Sequence, residues 1–199
     1  MLIQSSDKIN KPIADIVCFG IGCISSSKIS QYQLALLLNL SENFECSIEV
    51  YDPIFTEVDK QILVDLKLNL LPSNCEGKKK QNSAGATLFF LPHCPRELSN
   101  NLLYANWDSG LLQNCIIYAN SFEKVIINTP RRFLTNYHYL LQVQNIVKES
   151  MVANSFHFPD IFNDLSVHTF HCDQLDSVPT NFWETPEPVY VTESELITY

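Results

Sequence analysis

The sequence predicts a single α/β domain built on a mostly parallel sheet of about five to six strands, with helices on both faces. Short apolar runs alternate with amphipathic segments along the chain, which is typical of strands joined by crossover helices rather than by hairpins. The first apolar run ends in Gly20-Ile21-Gly22, a turn of the kind that follows the first strand of nucleotide-binding sheets. Together these observations favour a Rossmann-like fold.

The first half of the chain begins with an apolar run over 15–20, which predicts a buried strand. Serine hydroxyls at 25–27 are placed to cap a helix over 28–43, where apolar residues recur at helical spacing. A strand over 47–51 ends at Asp-Pro. A helix over 56–68 then opens on threonine and carries acidic residues in its first turn, where they suit the helix dipole.

The second half contains the strongest strand, the continuous apolar run over 86–91. Pro95 suits the first turn of a helix over 96–105. The remaining predictions are a short strand over 69–71, an exposed loop over 73–85, strands over 115–119 and 166–170, and a helix over 132–148.

Length and patterning predict one domain over 15–177. We expect a flexible N-terminus over 1–14 and an irregular acidic tail over 178–199 in which Trp183 docks. The chain of 199 residues contains no internal repeat and no stretch with the composition of a linker.

Charge and cysteine content narrow the function classes. A net charge of −9 argues against direct binding of nucleic acid, which requires neutralisation of phosphates. No apolar run approaches the roughly 20 residues needed to cross a bilayer, so we expect no membrane association. The seven cysteines are odd in number and lack a Cys-x-x-Cys pair, which favours free thiols in a reducing cytoplasm or nucleus.

Polar residues follow four of the predicted strands at their carboxyl ends. Parallel strands place those ends on one edge of the sheet, where ligands of open α/β sheets bind. The candidate site residues at this edge are Gly20, Gly22, Ser25, Asp52, His93, Cys94, Asn120 and Ser121.

The segment Gly20–Ser25 resembles a G-x-G-x-x-G motif with serine in the third position. Its glycines allow close backbone approach, and the helix that follows favours a phosphate or carboxylate at its N-terminus. Asp52 is placed to accept hydrogen bonds from ribose hydroxyls of a nucleotide-like ligand. The alternative is structural: the glycines let the strand pack against the helix, and Asp52 begins a turn.

His93-Cys94-Pro95 leaves three interpretations open. A cysteine at a helix N-terminus can be a reactive thiol, and a Cys-Pro pair can present a thiolate to haem iron. The third interpretation is a turn made rigid by its prolines. His171 and Cys172 could extend the pair to a zinc site, but adjacent His-Cys pairs are poor zinc spacing, so no metal site is predicted. No nucleophile elbow of the G-x-S-x-G type occurs, so the catalytic residues, if any, are unknown.

An ordered series of short motifs over about residues 15 to 172 resembles the Sensitivity to Red Light Reduced (SRR-like) domain family of plants, fungi and animals. The motifs are CFGIG (18–22), YQLALL (32–37), YDPIF (51–55), LPHCP (91–95), NNLL (100–103), NW (106–107), NSF (120–122) and FND (162–164). The resemblance implies a regulator in a circadian-clock input pathway that acts in cytoplasm and nucleus. It also implies a link to haem biosynthesis, and it carries over no established catalytic residue.

Three hypotheses follow. The leading one is a regulatory protein that senses a small-molecule ligand, either haem or a nucleotide-like molecule, or binds a regulatory protein partner. The second is a nucleotide- or S-adenosylmethionine-dependent transferase that uses the same crevice. The third is a protein-interaction scaffold. The sequence favours the regulatory protein over the enzyme.

Overall fold

The computed structural model describes residues 11–184 and 186–190, which form an α/β fold around one seven-stranded sheet. The order across the sheet is β3-β2-β1-β4-β5-β7-β6, and β7 alone runs opposite to the other six strands. This confirms the predicted fold class, with one or two more strands than expected. The strands are β1 Ile13–Phe19, β2 Ser47–Tyr51, β3 Asn69–Leu70, β4 Ala86–Leu91, β5 Cys115–Asn120, β6 Val147–Met151 and β7 Leu165–Phe170.

Helices cover both faces of the sheet and enclose two apolar cores, one on each side. Strand β4 lies at the centre with all six residues buried, as expected for a parallel strand covered on both faces. The helices are α1 Lys28–Phe44, α2 Glu57–Asp65, α3 Arg96–Ala105, α4 Ser109–Leu112, α5 Phe122–Asn128, α6 Arg131–Leu134, α7 His138–Gln142 and α8 Cys172–Leu175. In the part of the chain described, no helix has the length and apolar character needed to span a bilayer.

Local sequence explains how the first two helices begin. The side chain of Ser27 accepts a hydrogen bond from the backbone N–H of Ser30 and caps α1. Thr56 and Asp59 form a reciprocal capping box at the start of α2, which satisfies backbone donors that the helix leaves unpaired. These caps set where each chain segment leaves the sheet and enters a helix.

The predicted helix over 132–148 is wrong. This segment contains α6, α7 and a short 3-10 turn, and it ends in the first residues of β6. Tyr137 adopts a non-helical backbone (φ −115°, ψ 52°), which lets Tyr139 turn inward against the ring of Trp107. Strand β6 escaped prediction because an edge strand with exposed polar residues lacks the apolar run that marks the inner strands.

The ends of the chain also differ from expectation. Strand β1 begins at Ile13, inside the segment predicted to be flexible, while residues 1–10 lie outside the described residues. The described part of the tail contains a 3-10 helix, Thr180–Trp183, and the ring of Trp183 lies 5.8 Å from that of Trp107. Residues 191–199 lie outside the described residues, so the character of that end of the tail stays a prediction.

Candidate functional site

A cavity of about 410 Å³, here called the switch-point cavity, opens where β1, β2 and β4 end. It lies between the ends of β1 and β4, the point at which the strand order reverses direction. Open α/β sheets bind their ligands at such points. The residues that line the cavity include Phe19, Gly20, Gly22, Asp52, His93 and Cys94.

The glycine turn after β1 has a backbone that other residues rarely adopt. Gly20 and Gly22 have φ of 67° and 81°, and a Cβ on Gly20 would overlap the sulfur of Cys94. The N–H of Gly22 donates to Asp52 Oδ2 at 2.7 Å, and Asp52 Oδ1 accepts from the N–H of Ile54 at 3.0 Å. The buried carboxylate of Asp52 therefore joins the end of β1 to the end of β2.

Asp59 holds the second half of the glycine segment, and sequence analysis missed it. Its carboxylate is fully buried and accepts from the N–H of Ser25 at 2.7 Å and from the N–H of Thr56 at 2.9 Å. It also accepts from the Thr56 hydroxyl at 2.7 Å and from the thiol of Cys23 at 3.3 Å. Burial alone would raise the pKa of Asp59, but these hydrogen bonds hold that pKa well below its ordinary value. The Thr-x-x-Asp spacing of a capping box was the available sequence signal.

Cys94 lies beneath the glycine turn as a protonated thiol. Its sulfur is 3.2 Å from the carbonyl oxygen of Phe19, to which it donates. Burial, and to a smaller extent the negative charge of Asp52, raise the pKa of Cys94 well above the ordinary value of a thiol. In this state the sulfur serves as a hydrogen-bond donor within the turn, and a reaction of Cys94 or its binding to haem iron stays a prediction.

His93 separates the switch-point cavity from a second one and has an unusual backbone. Its φ of 56° lies in the left-handed region, where a residue without glycine's freedom is strained. The ring Nε2 lies 3.0 Å from the carbonyl oxygen of Ile161. Since a carbonyl only accepts, Nε2 donates this bond, and in the neutral ring Nδ1 is left as an acceptor.

The second cavity, here called the β5 cavity, has a volume of about 680 Å³ and lies beside the end of β5. Asn120 Nδ2 donates to the carbonyl of Cys94 at 3.0 Å and so ties β5 to the turn after β4. The hydroxyl of Ser121 accepts from the N–H of Lys124 at 3.1 Å and caps α5. The two cavities share the turn His93-Cys94-Pro95.

Seven of the eight predicted site residues line these adjoining cavities. Gly20, Gly22 and Asp52 line the switch-point cavity, Asn120 and Ser121 line the β5 cavity, and His93 and Cys94 line both. Ser25 lines neither, because its backbone is bound to Asp59 and its side chain is exposed. Whether these residues bind a ligand stays a prediction.

Two cations at the β5 cavity were not predicted. Arg96, the first residue of α3, donates to the hydroxyl of Thr129 at 3.3 Å and lies 4.8 Å from the ring centroid of Tyr137. Lys124, in the first turn of α5, pairs with Asp164. Both lie at the start of a helix that follows an inner strand, Arg96 after β4 and Lys124 after β5. The predicted strands alone could have placed both residues at this edge of the sheet. They bring two positive charges to this part of the site, where the carboxylates of Glu97 and Asp164, which pair with them, also line the cavity.

The four groups weighed for a zinc site do not assemble. His171 and Cys172 follow β7, which runs opposite to β4, so they lie at the other edge of the sheet from His93 and Cys94. Within residues 11–184 and 186–190, no three His, Cys, Asp or Glu side chains are arranged to hold a metal ion.

Comparison with known proteins gives a consistent family assignment. The model of the SRR1 domain family matches residues 2–169. An SRR1-like protein of Drosophila melanogaster is 32% identical over 199 residues, which cover 99% of this chain and 70% of the fly protein. An SRR1-like protein of Mus musculus is 34% identical over 135 residues, covering 65% of this chain and 53% of the mouse protein.

A plant relative and one solved structure complete the comparison. Protein SENSITIVITY TO RED LIGHT REDUCED 1 of Arabidopsis thaliana is 32% identical over 111 residues, covering 54% of this chain and 40% of the plant protein. The crystal structure of the 23S rRNA methyltransferase ErmE aligns with a TM-score of 0.48 at 9% identity, over 86% of this chain and 66% of that chain. On the strength of the family model and the fly relative, this chain belongs to the SRR1 domain family.

Proposed function

We propose that this chain is a regulatory protein that senses a small nucleotide-like ligand at the carboxyl edge of its sheet. The observation that carries the proposal is the position of the switch-point cavity, bordered by a glycine turn and by Asp52. The name of the Arabidopsis relative refers to red-light sensitivity, which supports a regulatory role. The proposal includes action in a clock-input pathway, in cytoplasm and nucleus, and an influence on haem biosynthesis that needs no haem bound to this chain.

The chemistry of the two cavities suits such a ligand. The carboxylate of Asp52 can accept hydrogen bonds from ribose hydroxyls, and the exposed ring of His93 offers an acceptor beside it. Arg96 in the adjoining β5 cavity can pair with a phosphate through its planar guanidinium. The combined volume of about 410 and 680 Å³ accommodates a mononucleotide.

The bonding of the site favours sensing over catalysis. Cys94 is a protonated thiol that donates to a backbone carbonyl, so it is not an activated nucleophile. Both oxygens of Asp52 accept backbone hydrogen bonds that hold the turn together. These groups therefore position the backbone around a ligand, and occupation of the cavity would stiffen the same turn.

Thermal unfolding in the presence of candidate ligands tests the proposal. With AMP at about one hundred times its dissociation constant, we expect the Tm to rise by roughly 5–10 °C, because a ligand that binds only the folded state stabilises it by mass action. Asp52→Asn should remove the shift, since one amide oxygen cannot replace two carboxylate oxygens. Asp65→Asn, an exposed change on α2, should retain it. Equal shifts in both variants, or no shift with AMP, adenosine or S-adenosylmethionine, would contradict nucleotide sensing at this site.

A second candidate is an S-adenosylmethionine-dependent transferase, and the sheet itself favours it. A reversed seventh strand inserted between the fifth and the sixth is the strand order typical of methyltransferases that use this cofactor. A Tm shift with S-adenosylmethionine but not with AMP, together with transfer of its labelled methyl group to components of a cell extract, would favour the transferase. A protein partner recovered without any ligand response would favour the scaffold.

A further inference from the structure

A third cavity, of about 700 Å³, lies on the α1 face of the sheet, and it shares no lining residue with the other two. We call it the α1–loop cavity. Helix α1 forms one wall, and the loop between β6 and β7, residues 152–164, forms the other. The residues that line it include Tyr32, Leu36, Tyr118, Val152, Phe156 and Phe162.

The walls of this cavity are largely apolar and aromatic, and they also include four uncharged polar side chains, those of Asn39, Ser150, Asn154 and Ser155. Phe156 packs against Tyr32 and Phe162 with ring centroids 5.2 Å apart in each pair, yet 38% of Phe156 is exposed. Met151, at the mouth, is 71% exposed. None of the described residues that line the cavity carries a charge. A charged ligand would lose its hydration there without gaining a partner, so these walls suit an uncharged molecule.

Tyr118 contributes a further polar group to the lining of the cavity. The residue is only 4% exposed, and its ring stacks on Phe90 with centroids 4.9 Å apart, which fixes its direction. Its buried hydroxyl has no hydrogen-bond partner among the residues that the structure describes. Buried hydroxyls are nearly always paired, so an unpaired hydroxyl on a residue that lines a cavity is a candidate partner for a bound ligand.

The hydroxyl of Tyr118 is a donor over the whole physiological range. Burial raises the pKa of this phenol well above its ordinary value, so it keeps its proton. A phenol in this state completes its bonding best with a ligand acceptor such as a carbonyl oxygen.

We propose that the α1–loop cavity binds a flat, uncharged, largely aromatic molecule that presents a carbonyl acceptor to Tyr118. Its volume lies within the range of roughly 300–1,000 Å³ that is usual for small-molecule sites. The aromatic walls supply apolar contact, and the phenol sets the orientation of the ligand. This site is separate from the nucleotide-like site proposed above and does not depend on it.

Nile red, a flat neutral dye with a carbonyl group, is a suitable probe. We expect saturable binding to one site per chain, with a rise in emission. Tyr118→Phe should weaken binding about 5- to 10-fold through the loss of one hydrogen bond. Ala35→Trp, which places an indole in the cavity from α1, should abolish it. Val58→Trp adds the same ring at an exposed position of α2 and should leave binding unchanged.

Urea unfolding of the variants shows whether a loss of Nile red binding reflects the cavity itself or a loss of folded protein. Removal of an unpaired buried hydroxyl breaks no bond, so ligand-free Tyr118→Phe should resist urea at least as well as the wild type. The proposal fails if Tyr118→Phe binds Nile red as tightly as the wild type, or if Ala35→Trp still binds it. It also fails if the wild type elutes as a dimer and Ala35→Trp as a monomer, because a second copy of the chain would then occupy the cavity.

Discussion

Three residues at the carboxyl ends of three different strands meet at the centre of the candidate site: Gly20 after β1, Cys94 after β4 and Asn120 at the end of β5. Gly20 leaves room for the sulfur of Cys94, the thiol of Cys94 donates to the backbone of β1, and Asn120 binds the carbonyl of Cys94. Glycine is required at position 20 because no side chain fits there. Cysteine suits position 94 because a small hydrogen-bond donor fills the space beneath the turn. Cys94 therefore acts as a packing residue with one directed hydrogen bond.

Thiol labelling should distinguish this role from a reactive one. At pH 8 we expect Ellman's reagent to modify Cys94 at least about 100-fold more slowly than Cys172, because Cys94 is buried and its pKa is raised whereas Cys172 is exposed. Mass spectrometry of the labelled peptides over time measures both rates in one sample. Comparable rates would show that the sulfur of Cys94 is accessible and ionised.

At the scale of elements, residues 178–184 and 186–190 of the C-terminal segment are held beside α3 by directed bonds. Trp107 Nε1 donates to the carbonyl of Phe182 at 3.0 Å. The hydroxyl of Tyr190 accepts from Asn100 at 2.9 Å and donates to Asn101 at 2.8 Å, and both asparagines are fully buried. The segment thus satisfies polar groups that α3 would otherwise leave unpaired.

Tyr190→Phe should lower the free energy of unfolding by roughly 1–3 kcal/mol, the usual cost of leaving buried polar groups unpaired. Urea denaturation followed by circular dichroism measures the change. Tyr104→Phe is the matched control, because the Tyr104 hydroxyl makes no hydrogen bond within residues 11–184 and 186–190 and the ring remains. Equal stability of the two variants would mean that the segment is not docked in solution.

Elements with strong local signals were predicted from sequence, and elements fixed by distant contacts were not. Helix α3 has its predicted bounds because Pro95 starts it and its apolar face is regular. The structure of the region after α5 depends on the burial of Tyr139, whose hydroxyl donates to the carbonyl of Pro186. A contact between residues so far apart in sequence cannot be predicted from the local pattern. The edge strand β6 is specified by its pairing with β7 rather than by its own residues.

The same division holds for the site across the whole molecule. Parallel topology is enough to bring Gly22, Asp52 and Cys94 together from three strands, so their convergence could be predicted. Asp59 and Tyr118 could not be recognised in this way. For Asp59, the local capping box supplies two of the four donors, both from Thr56, and tertiary packing supplies the other two from Cys23 and Ser25. Tyr118 lies in an ordinary apolar strand, and only tertiary packing leaves its hydroxyl unpaired.

Acid should destabilise the whole molecule through two carboxylates. The pKa of Asp59 is well below its ordinary value, and although burial acts to raise the pKa of Glu149, hydrogen bonds led by that from His168 lower it to about 2. The unfolded chain has the higher pKa at both positions, so it binds protons first as pH falls. Their stabilisation is therefore complete above roughly pH 5 and is lost as the pH falls through about 2.

Asp59→Asn isolates the larger part of this effect. At pH 7 it should cost roughly 2 kcal/mol or more, because a buried carboxylate loses charge-assisted hydrogen bonds. The difference from the wild type should shrink as the pH falls from about 5 toward 2, because the unfolded wild-type chain takes up the proton before the folded one does. Urea unfolding from pH 7 to pH 2 measures both, with Asp65→Asn as an exposed control. A difference independent of pH would contradict the low pKa.

The loop over 152–164 borders two of the cavities described above. Its Asp164 lines the β5 cavity, its Phe156 lines the α1–loop cavity, and the carbonyl of Ile161 accepts from His93 and from Gln33 of α1. A ligand that bound in one of these two cavities and shifted the loop would change the shape of the other cavity. By thermodynamic linkage, each ligand would then change the affinity of the protein for the other ligand by the same factor. A single hairpin connection could thus make the protein respond to a coincidence of two chemical inputs.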